Sequence, residues 1–387
     1  MPLILLLRFW LSVASLAILA GAAYLLWSWH EGDVVRDVHG VLHLEHHGWR
    51  LWTGIALGIW SFGGGNLVLR PFLARRDRTP YAAPRGDGRL IDGVHGAKLY
   101  VEAYGSVDKP CLVLTHGWGL DSTIWATTRH ELADRFRVIV WDLPSMGKSK
   151  APNSAVTLEH FADNLERIVD YTGAAKVVLV SHSIGGMATQ TLARDKPRFF
   201  QERIAGVVLL NTTYQNPLTT MIMNGVAQAL RFPVIEPQFF LTMILWPLAW
   251  IGGWKSYLDG SAHLANRFGF GPNVTHGQLE HTTLLSIRNS PGAQAKGNLA
   301  MFRWNADGAL RQTSVPVLVI AGRDDIVTQP RAGRHIADQL PGAEFLLVNK
   351  ANHMGFLERA EVYSPAIARF ALACFEAPAS IKDALER

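Results

Sequence analysis

The stretch Val177-Val-Leu-Val-Ser-His-Ser-Ile-Gly-Gly-Met-Ala188 decides how this chain folds. Its first four residues are apolar and predict a buried strand, and the residues after Gly186 are compatible with a helix. Between them lies a small-x-Ser-x-small pentapeptide centred on Ser183. This pattern is typical of a sharp strand-to-helix turn that exposes one serine hydroxyl above a sheet. The crowded turn needs small residues at its ends, and Ser181 and Gly185 meet that need, although glycine is usual at the first position. A buried, serine-rich strand end gives the same pattern, so other motifs are needed to tell whether Ser183 is exposed on such a turn.

Two later segments each place a polar side chain after an apolar strand. Residues 317–330 read Val-Leu-Val-Ile-Ala-Gly-Arg-Asp-Asp-Ile-Val-Thr-Gln-Pro, and residues 346–358 read Leu-Leu-Val-Asn-Lys-Ala-Asn-His-Met-Gly-Phe-Leu-Glu. Together with the serine turn, they resemble the α/β-hydrolase superfamily over about residues 89–376. In that family the catalytic triad runs along the chain as serine, then acid, then histidine. The two segments follow the serine turn in that order.

The resemblance implies a catalytic triad of Ser183, Asp325 and His353. The family places its acid three residues after the strand-ending glycine, here Gly322, which favours Asp325 over Asp324. A serine hydroxyl is a weak nucleophile at neutral pH, so the histidine must take its proton during attack. The aspartate would orient the imidazole and stabilise the imidazolium that forms. These roles predict acyl transfer through an acyl-enzyme.

The developing oxyanion needs preorganised donors, and the resemblance implies two backbone amides. One belongs to Ile184, directly after the nucleophile. The other belongs to Trp118, in the loop His116-Gly-Trp-Gly119, which is similar to the family's His-Gly-x-Gly loop. One such donor contributes roughly 3–4 kcal/mol to transition-state binding. The Trp118 ring either lines the acyl pocket or packs in the core. We expect His116 and His182 to be structural.

The type of nucleophile narrows the reaction. Relatives that open epoxides or displace halide usually carry aspartate at this turn, so Ser183 indicates ester, thioester or amide hydrolysis. Carbon–carbon hydrolases and cofactor-free perhydrolases share the same machinery and remain open. A catalytically silent protein of this fold that binds a lipid or a partner is the alternative from another class. The sequence contains neither a Gly-x-Gly-x-x-Gly fingerprint nor a His-Glu-x-x-His metal motif, so we predict no cofactor and no metal.

The part of the chain that carries these motifs has the length and pattern of one α/β domain. Strands alternate with helical stretches, which predicts a mostly parallel sheet covered by helices on both faces. The resemblance implies an eight-stranded α/β-hydrolase sheet interrupted by a helical cap. We place the hydrolase core at 89–213 and 313–387, the cap or lid at 214–312, and a linker at 79–88.

The chain begins with two uncharged stretches, Phe9–Trp29 and Leu51–Leu69, of 21 and 19 residues. Each is long enough to cross a hydrocarbon core of about 30 Å as a helix. They predict two transmembrane helices that form a hairpin within an anchor at 1–78. A cleavable signal peptide is the alternative for the first stretch, since residues 20–23 are small. Gly63-Gly-Gly65 lowers the helix propensity of the second.

Charge and composition predict the location of the domain. Six arginines follow the second stretch between residues 70 and 89, whereas the connecting loop has two. The positive-inside rule therefore places the catalytic domain in the cytoplasm, on the plasma or inner membrane. The arginines suit anionic headgroups better than nucleic acid, so we predict a membrane partner and no nucleic acid. Five histidines between residues 30 and 47 predict a solvated loop, with metal binding as the alternative. Two cysteines in the chain fit a reducing compartment.

Within the predicted cap, residues 237–254 carry no charge. Their length is near the spanning threshold, but Pro247 and paired glycines argue against a third crossing. This segment predicts an apolar lid that either rests on the bilayer or is buried against the core. Candidate substrate-binding residues are Trp118, Phe239 and Trp246. An apolar lid beside a membrane anchor favours a small hydrophobic ester or lipid substrate, such as a monoacylglycerol or a lysophospholipid.

Overall fold

A long apolar helix opens the chain in the computed structural model, which describes residues 2–152 and 155–376. Helix α1 spans Pro2–Glu31 and is followed by a β-hairpin of β1 (Asp33–Arg36) and β2 (Leu42–Glu45). Helix α2 (Gly48–Ile59) then runs back along the second half of α1. Within the described residues, α1 is the single unbroken helix that is long and apolar enough to cross a membrane, over Ile4–Glu31.

The prediction of a second transmembrane helix over 51–69 is wrong. Helix α2 ends at Ile59, and α3 (Gly65–Leu73) begins after a break in which Phe62 and Gly63 leave helical backbone geometry. Gly63 has a φ of 128°, a conformation that side chains with a Cβ rarely adopt. The glycine run therefore breaks the span into two short helices, and the predicted pair of membrane-crossing helices reduces to one candidate.

The centre of the molecule is a mostly parallel sheet of eight strands, as predicted. The strands are β3 (Gly88–Asp92), β4 (Lys98–Tyr104), β5 (Cys111–Thr115), β6 (Arg137–Trp141), β7 (Val177–His182), β8 (Ile204–Leu210), β9 (Val317–Gly322) and β10 (Glu344–Val348). Their order is β10-β9-β8-β7-β5-β6-β4-β3, and only the pairs of β4 with β3 and with β6 are antiparallel. The carboxyl ends of the parallel strands therefore meet at one edge.

Helices cover both faces of this sheet. Outside the cap they are α4 (Ala126–Leu132), α5 (Leu158–Thr172), α6 (Ile184–Asp195), α7 (Pro197–Arg203), α15 (Pro330–Asp338), α16 (Gly355–Glu358) and α17 (Ala360–Glu376). In β7, Val177 and Leu179 face the apolar cluster that includes α5 and α6, whereas Val178 and Val180 face the cluster that includes α17. Burial on both faces explains the continuous apolar runs of these strands. Residues 377–387, the predicted end of the core, lie outside the described residues.

Between β8 and β9 the chain forms a layer of helices, which we call the cap. Its helices are α8 (Pro217–Thr220), α9 (Asn224–Ala229), α10 (Glu236–Ile244), α11 (Trp246–Leu258), α12 (Ser261–Arg267), α13 (His276–Arg288) and α14 (Pro291–Met301). The segment from Arg231 through α10 is bent by 100° against α11. The break falls at Leu245, and Pro247 occupies the first turn of α11. The uncharged stretch 237–254 is therefore two helices at a sharp angle.

Helix α1 packs directly on the cap. Gly252 of α11 brings the two backbones close, since a Cβ there would lie 3.3 Å from Leu16 Cδ1. Small residues of this kind allow close helix packing. Ser12 donates from Oγ to Ser256 Oγ at 3.2 Å. Ser15 bonds the carboxylate of Asp259, which the structure pairs with Lys255 at 3.1 Å. The first half of α1 and the cap thus form one continuous layer.

Candidate active site

Ser183 sits on the turn between β7 and α6 with a strained backbone, at φ 53° and ψ −119°. A non-glycine residue in this region is uncommon and often marks a functional site. The turn is crowded: a Cβ at Gly185 would lie 2.7 Å from the Thr115 carbonyl oxygen, and one at Gly186 would lie 2.7 Å from Thr212 Oγ1. These contacts explain why the sequence pattern requires small residues here. Ser183 itself is partly exposed.

The structure brings Ser183, His353 and Asp325 together in one hydrogen-bonded chain. His353, on the loop after β10, lies with Nε2 3.0 Å from Ser183 Oγ. Its Nδ1 lies 3.0 Å from Asp325 Oδ2. The imidazole and the carboxylate are both fully buried, and the serine is not. This geometry allows the imidazole to accept the serine proton while the carboxylate holds the tautomer with Nδ1–H.

Asp325 is held by four donors besides His353. Its Oδ1 accepts from the backbone amides of Val327 and Thr328 at 2.8 and 2.9 Å, and its Oδ2 accepts from Thr328 Oγ1 at 2.8 Å and Asn211 Nδ2 at 2.9 Å. Burial alone would raise the pKa of this carboxyl, but the opposing His353 and these donors hold the pKa below its usual value. Asp324 is exposed, whereas Asp325 contacts His353.

Asn211 is a site residue that the sequence did not predict. It directly follows β8 and has a left-handed backbone, at φ 48°. Its amide donates to Asp325, and its Oδ1 accepts from the hydroxyl of Tyr363 at 3.0 Å. The sequence showed only that this strand end lacks an acid. A polar residue at the end of the strand next to the acid strand was the available signal, but the strand order was needed to use it.

The two predicted oxyanion amides lie beside the serine turn and on the neighbouring loop. Ile184 is the first residue of α6, so its N–H has no acceptor within the helix. Trp118 follows β5 on the loop next to β7. The Trp118 ring is buried; its Nε1 donates to the Gln294 carbonyl of the cap at 2.9 Å, and the ring packs on Phe161. The ring therefore joins core and cap.

His116 and His182 hold the loops around the serine. His116 Nδ1 lies 2.7 Å from the Gly117 carbonyl oxygen, and its Nε2 accepts from the Leu143 amide at 2.9 Å. This pattern requires the neutral ring, and burial lowers its pKa. His182 Nε2 lies 3.0 Å from the His353 carbonyl oxygen. Burial and the adjacent His353 lower the pKa of His182 well below its usual value.

One arginine of the predicted headgroup cluster has another role. Arg85 pairs with Asp121 at 2.6 Å and with the buried Asp142 at 3.1 Å, and it approaches Glu102. Asp142 also accepts from the amides of Ser122 and Lys148. The predicted linker is therefore fixed to the loop that follows β6, and the Arg85 guanidinium is not free for lipid headgroups.

The other predicted residues lie at the cap and in the N-terminal hairpin. Phe239 is buried against Phe302, and Trp246 is 44% exposed and packs on Trp250. Neither ring is among the hydrogen-bonded or aromatic partners of the triad described above. In the histidine-rich loop, His47 pairs with Asp33 at 3.0 Å. Across residues 2–152 and 155–376 there is no cluster of three His, Cys, Asp or Glu side chains suited to a metal ion.

Comparisons with known proteins agree with this architecture. The profile of the alpha/beta hydrolase family matches residues 112–366. A pimeloyl-[acyl-carrier protein] methyl ester esterase of Nitrosospira multiformis is 27% identical over 286 residues, which cover 70% of this chain and 98% of that protein. Among solved structures, an esterase from Exiguobacterium antarcticum matches with a TM-score of 0.61 at 16% identity, covering 74% of this chain and 99% of that one. A bromoperoxidase from Bacillus anthracis matches with a TM-score of 0.60 at 18% identity, covering 73% and 99%.

These two solved structures support the fold alone, because their sequence identity is low. The family profile covers well over half of the chain, including the serine turn, the acid strand and the histidine loop. The chain belongs to the alpha/beta hydrolase family.

Proposed function

We propose that this protein is a membrane-associated serine hydrolase that cleaves hydrophobic carboxylic esters through an acyl-enzyme. The observation that carries the proposal is the hydrogen-bonded chain from Ser183 Oγ through His353 to Asp325, with both links at 3.0 Å. A protein that only binds ligands has no need for a strained serine aligned with a buried histidine and carboxylate. One relative is named as a methyl ester esterase, which supports the same reaction class.

In the proposed reaction, Ser183 Oγ attacks the ester carbonyl carbon while His353 Nε2 takes the hydroxyl proton. The amides of Ile184 and Trp118 stabilise the oxyanion, and the imidazolium then gives its proton to the leaving alkoxide. Water, activated by the same imidazole, hydrolyses the acyl-enzyme and releases the carboxylic acid. Asp325 stays ionised throughout, because its pKa is held below the usual value.

The cap supports a hydrophobic substrate. Nine apolar side chains of α10, α11 and the bend between them are substantially exposed, namely Phe240, Leu241, Ile244, Leu245, Trp246, Leu248, Ile251, Trp254 and Leu258. Contiguous exposed apolar surface of this kind typically marks a membrane or ligand surface. Trp10 and Val13 of α1, which packs on α11, are also exposed. We therefore place α1 and the cap at the bilayer, where the apolar lid receives a lipid-like ester such as a monoacylglycerol or a lysophospholipid.

The domain division and the topology belong to the same proposal. We propose an anchor at 1–78, a linker at 79–88, a core at 89–213 and 313–387, and a cap at 214–312, with α1 as the helix of membrane-spanning length that holds the cap at the bilayer. With one candidate crossing instead of two, the loop arginines and those at 70–89 lie on the same side of α1, and this arginine excess still favours a cytoplasmic catalytic domain. Reporter fusions after residue 376 test this placement. Activity of a reporter that works only outside the cytoplasm would reverse the orientation.

A series of p-nitrophenyl esters of increasing acyl length tests the reaction and the substrate class together. We expect hydrolysis by the wild type, with kcat/KM rising from acetyl towards medium or long chains. A sharp preference for acetyl would contradict the lipid-like substrate while leaving the serine mechanism intact. Equal rates for the wild type and Ser183→Ala would contradict the mechanism itself.

A further inference from the structure

A cavity of about 220 Å³ lies between α1 and the cap, apart from the triad. Its walls are largely apolar and come from α1, α10, α11, α13 and α14; they include Leu5, Phe9, Val13, Phe239, Leu248 and Ile287. A space this large exceeds by far the roughly 10–15 Å³ that one water needs, and an apolar cavity favours an apolar ligand over water. The cavity therefore suits an alkyl chain.

Two polar side chains in this lining have unused hydrogen-bonding capacity. Arg8 of α1 donates to the Ser286 carbonyl at 3.1 Å, and no carboxylate pairs with it among the described residues. A guanidinium has five N–H donors, so most of them are available. Gln238 of α10 is 8% exposed, and its Oε1 is buried without a partner in the part of the chain that the structure describes. A buried polar atom left unpaired is costly, so its presence in the lining points to a ligand.

Gln294 connects the lining of this cavity to the loop that carries Trp118. Gln294 lines the cavity, and its side-chain amide donates to the carbonyls of Ser286 and Asn289 at 2.9 Å each. Its backbone carbonyl accepts from Trp118 Nε1. The Trp118 ring and Gln294 thus stand between the α1 side of the cap and the loop that carries a proposed oxyanion amide. None of Ser183, Asp325 and His353 lines the cavity, so we treat it as a site separate from the triad.

We propose that the cavity between α1 and the cap binds a long-chain carboxylate, with the alkyl chain against the apolar walls and the carboxylate at Arg8 and Gln238. This site goes beyond the proposed ester hydrolysis and does not depend on it. One guanidinium matches one negative charge and favours carboxylate geometry. The unpaired Gln238 Oε1 is an acceptor and cannot itself bond an ionised carboxylate, but a half-turn of the side-chain amide brings the Nε2–H donors to the same place, where they suit a carboxylate oxygen. A cationic amphiphile would place like charges together and is excluded.

Photolabelling tests the proposal on the full-length protein in phosphatidylcholine nanodiscs. The background is Ser183→Ala, so that no turnover or acylation occurs. A diazirine derivative of palmitic acid is crosslinked, and the labelled peptides are mapped by mass spectrometry. We expect saturable labelling of residues in α1 and α11, displaced by excess laurate but not by dodecylamine. Ala249→Trp, which fills the cavity, should abolish it.

Charge and amide variants separate recognition of the headgroup from simple partition into lipid. Arg8→Gln and Gln238→Leu should each weaken displacement by laurate roughly tenfold, since each removes a hydrogen bond to a charged group. Arg36→Gln in the β-hairpin is the matched control and should leave displacement unchanged. Melting curves from circular dichroism identify any variant that does not fold.

Three results would overturn the proposal: unsaturable labelling spread over the exposed apolar faces, equal displacement by dodecylphosphocholine and laurate, or full labelling in folded Arg8→Gln and Ala249→Trp proteins. The proposed hydrolase function fails independently, if the wild-type serine does not react with an acylating probe. The two outcomes are therefore distinguishable.

Discussion

Two buried polar side chains are paired to very different extents: Asp325, at the edge of the sheet that carries Ser183 and His353 (the catalytic edge), and Gln238, in the layer between α1 and the cap. At the catalytic edge, Asp325 accepts four hydrogen bonds in addition to its contact with His353, and Asn211 uses both ends of its amide. In the α1–cap layer, Gln238 leaves a buried oxygen unpaired. The satisfied Asp325 carboxylate and Asn211 amide fix one geometry, as a reaction requires. An unsatisfied group leaves room for a ligand. A rigidly held acid and an amide that is free to bind a ligand therefore lie in adjacent layers of one molecule.

Removing the nucleophile should have the largest effect. Ser183→Ala should lower kcat for ester hydrolysis on the order of 10⁴–10⁶-fold, because no other group in the site can form the acyl-enzyme. Stopped-flow or endpoint assays with a p-nitrophenyl ester measure it. Ser181→Ala is the matched control on the same strand, since its hydroxyl bonds Thr189 and faces away from the reaction. If both variants lost activity equally, the catalytic edge would not be organised around Ser183.

Neutralising the acid should have the next largest effect. Asp325→Asn should lower kcat on the order of 10⁴-fold, because an amide favours the wrong imidazole tautomer. Asp324→Asn, one residue away and exposed, should change kcat little. Because the folded state lowers the pKa of Asp325, this carboxylate stabilises the fold above its unfolded pKa, and that stability is lost as the pH falls through the folded pKa. Acid unfolding of the Asp325→Asn protein should therefore show a smaller loss of stability between about pH 5 and pH 1.

The buried ion pair of Lys255 and Asp259 tests how well polar groups are paired in the α1–cap layer. Lys255→Met leaves the Asp259 carboxylate buried without its cation. The free energy of unfolding should fall by about 3–5 kcal/mol, as for other broken buried pairs. Denaturant titration in detergent micelles measures it. The double variant Lys255→Met, Asp259→Leu should recover most of the loss, since no unpaired charge remains. If the double variant did not regain stability, the two side chains would contribute more than the pairing of their charges.

The smallest effect is expected from the positioning residue of the catalytic edge. Asn211→Ala removes a donor to Asp325 and an acceptor for Tyr363, and should destabilise the protein by about 1–3 kcal/mol. It should also lower kcat more than it raises KM, because the acid is no longer held. Tyr363→Phe, which removes only the hydroxyl, should cost about 1 kcal/mol and leave kcat nearly unchanged. If Asn211→Ala and Tyr363→Phe lowered kcat equally, the loss would come from altered packing and not from the lost hydrogen bond to Asp325.

Much of the sheet could be predicted from local sequence. The apolar runs at 177–180 and 317–321 lie within β7 and β9, because strands buried on both faces must be continuously apolar. Ser183, Asp325 and His353 lie together because each follows a parallel strand, and the carboxyl ends of those strands meet at one edge of the sheet. The sequence could not reveal Asn211, whose role depends on β8 lying beside β9.

The N-terminal region was predicted less well. Hydropathy counts residues but does not register that the glycine run lets Gly63 adopt a φ of 128° and divide the span. Nor does it show that α3 approaches the cap, where Gly65 lies against the Asp259 backbone. Arg85 was grouped with the headgroup arginines because its partners, Asp121 and Asp142, are distant in sequence. A local glycine break explains the divided span, and long-range contacts explain the positions of α3 and Arg85.

Covalent labelling by a fluorophosphonate probe tests the central claim most directly. The probe reacts with a serine only when a base and an oxyanion hole activate it. We expect one adduct per chain in the wild type, located by mass spectrometry on the peptide that contains Ser183, and no adduct in Ser183→Ala or His353→Ala. An unlabelled wild type, or an adduct that persists in Ser183→Ala, would contradict it.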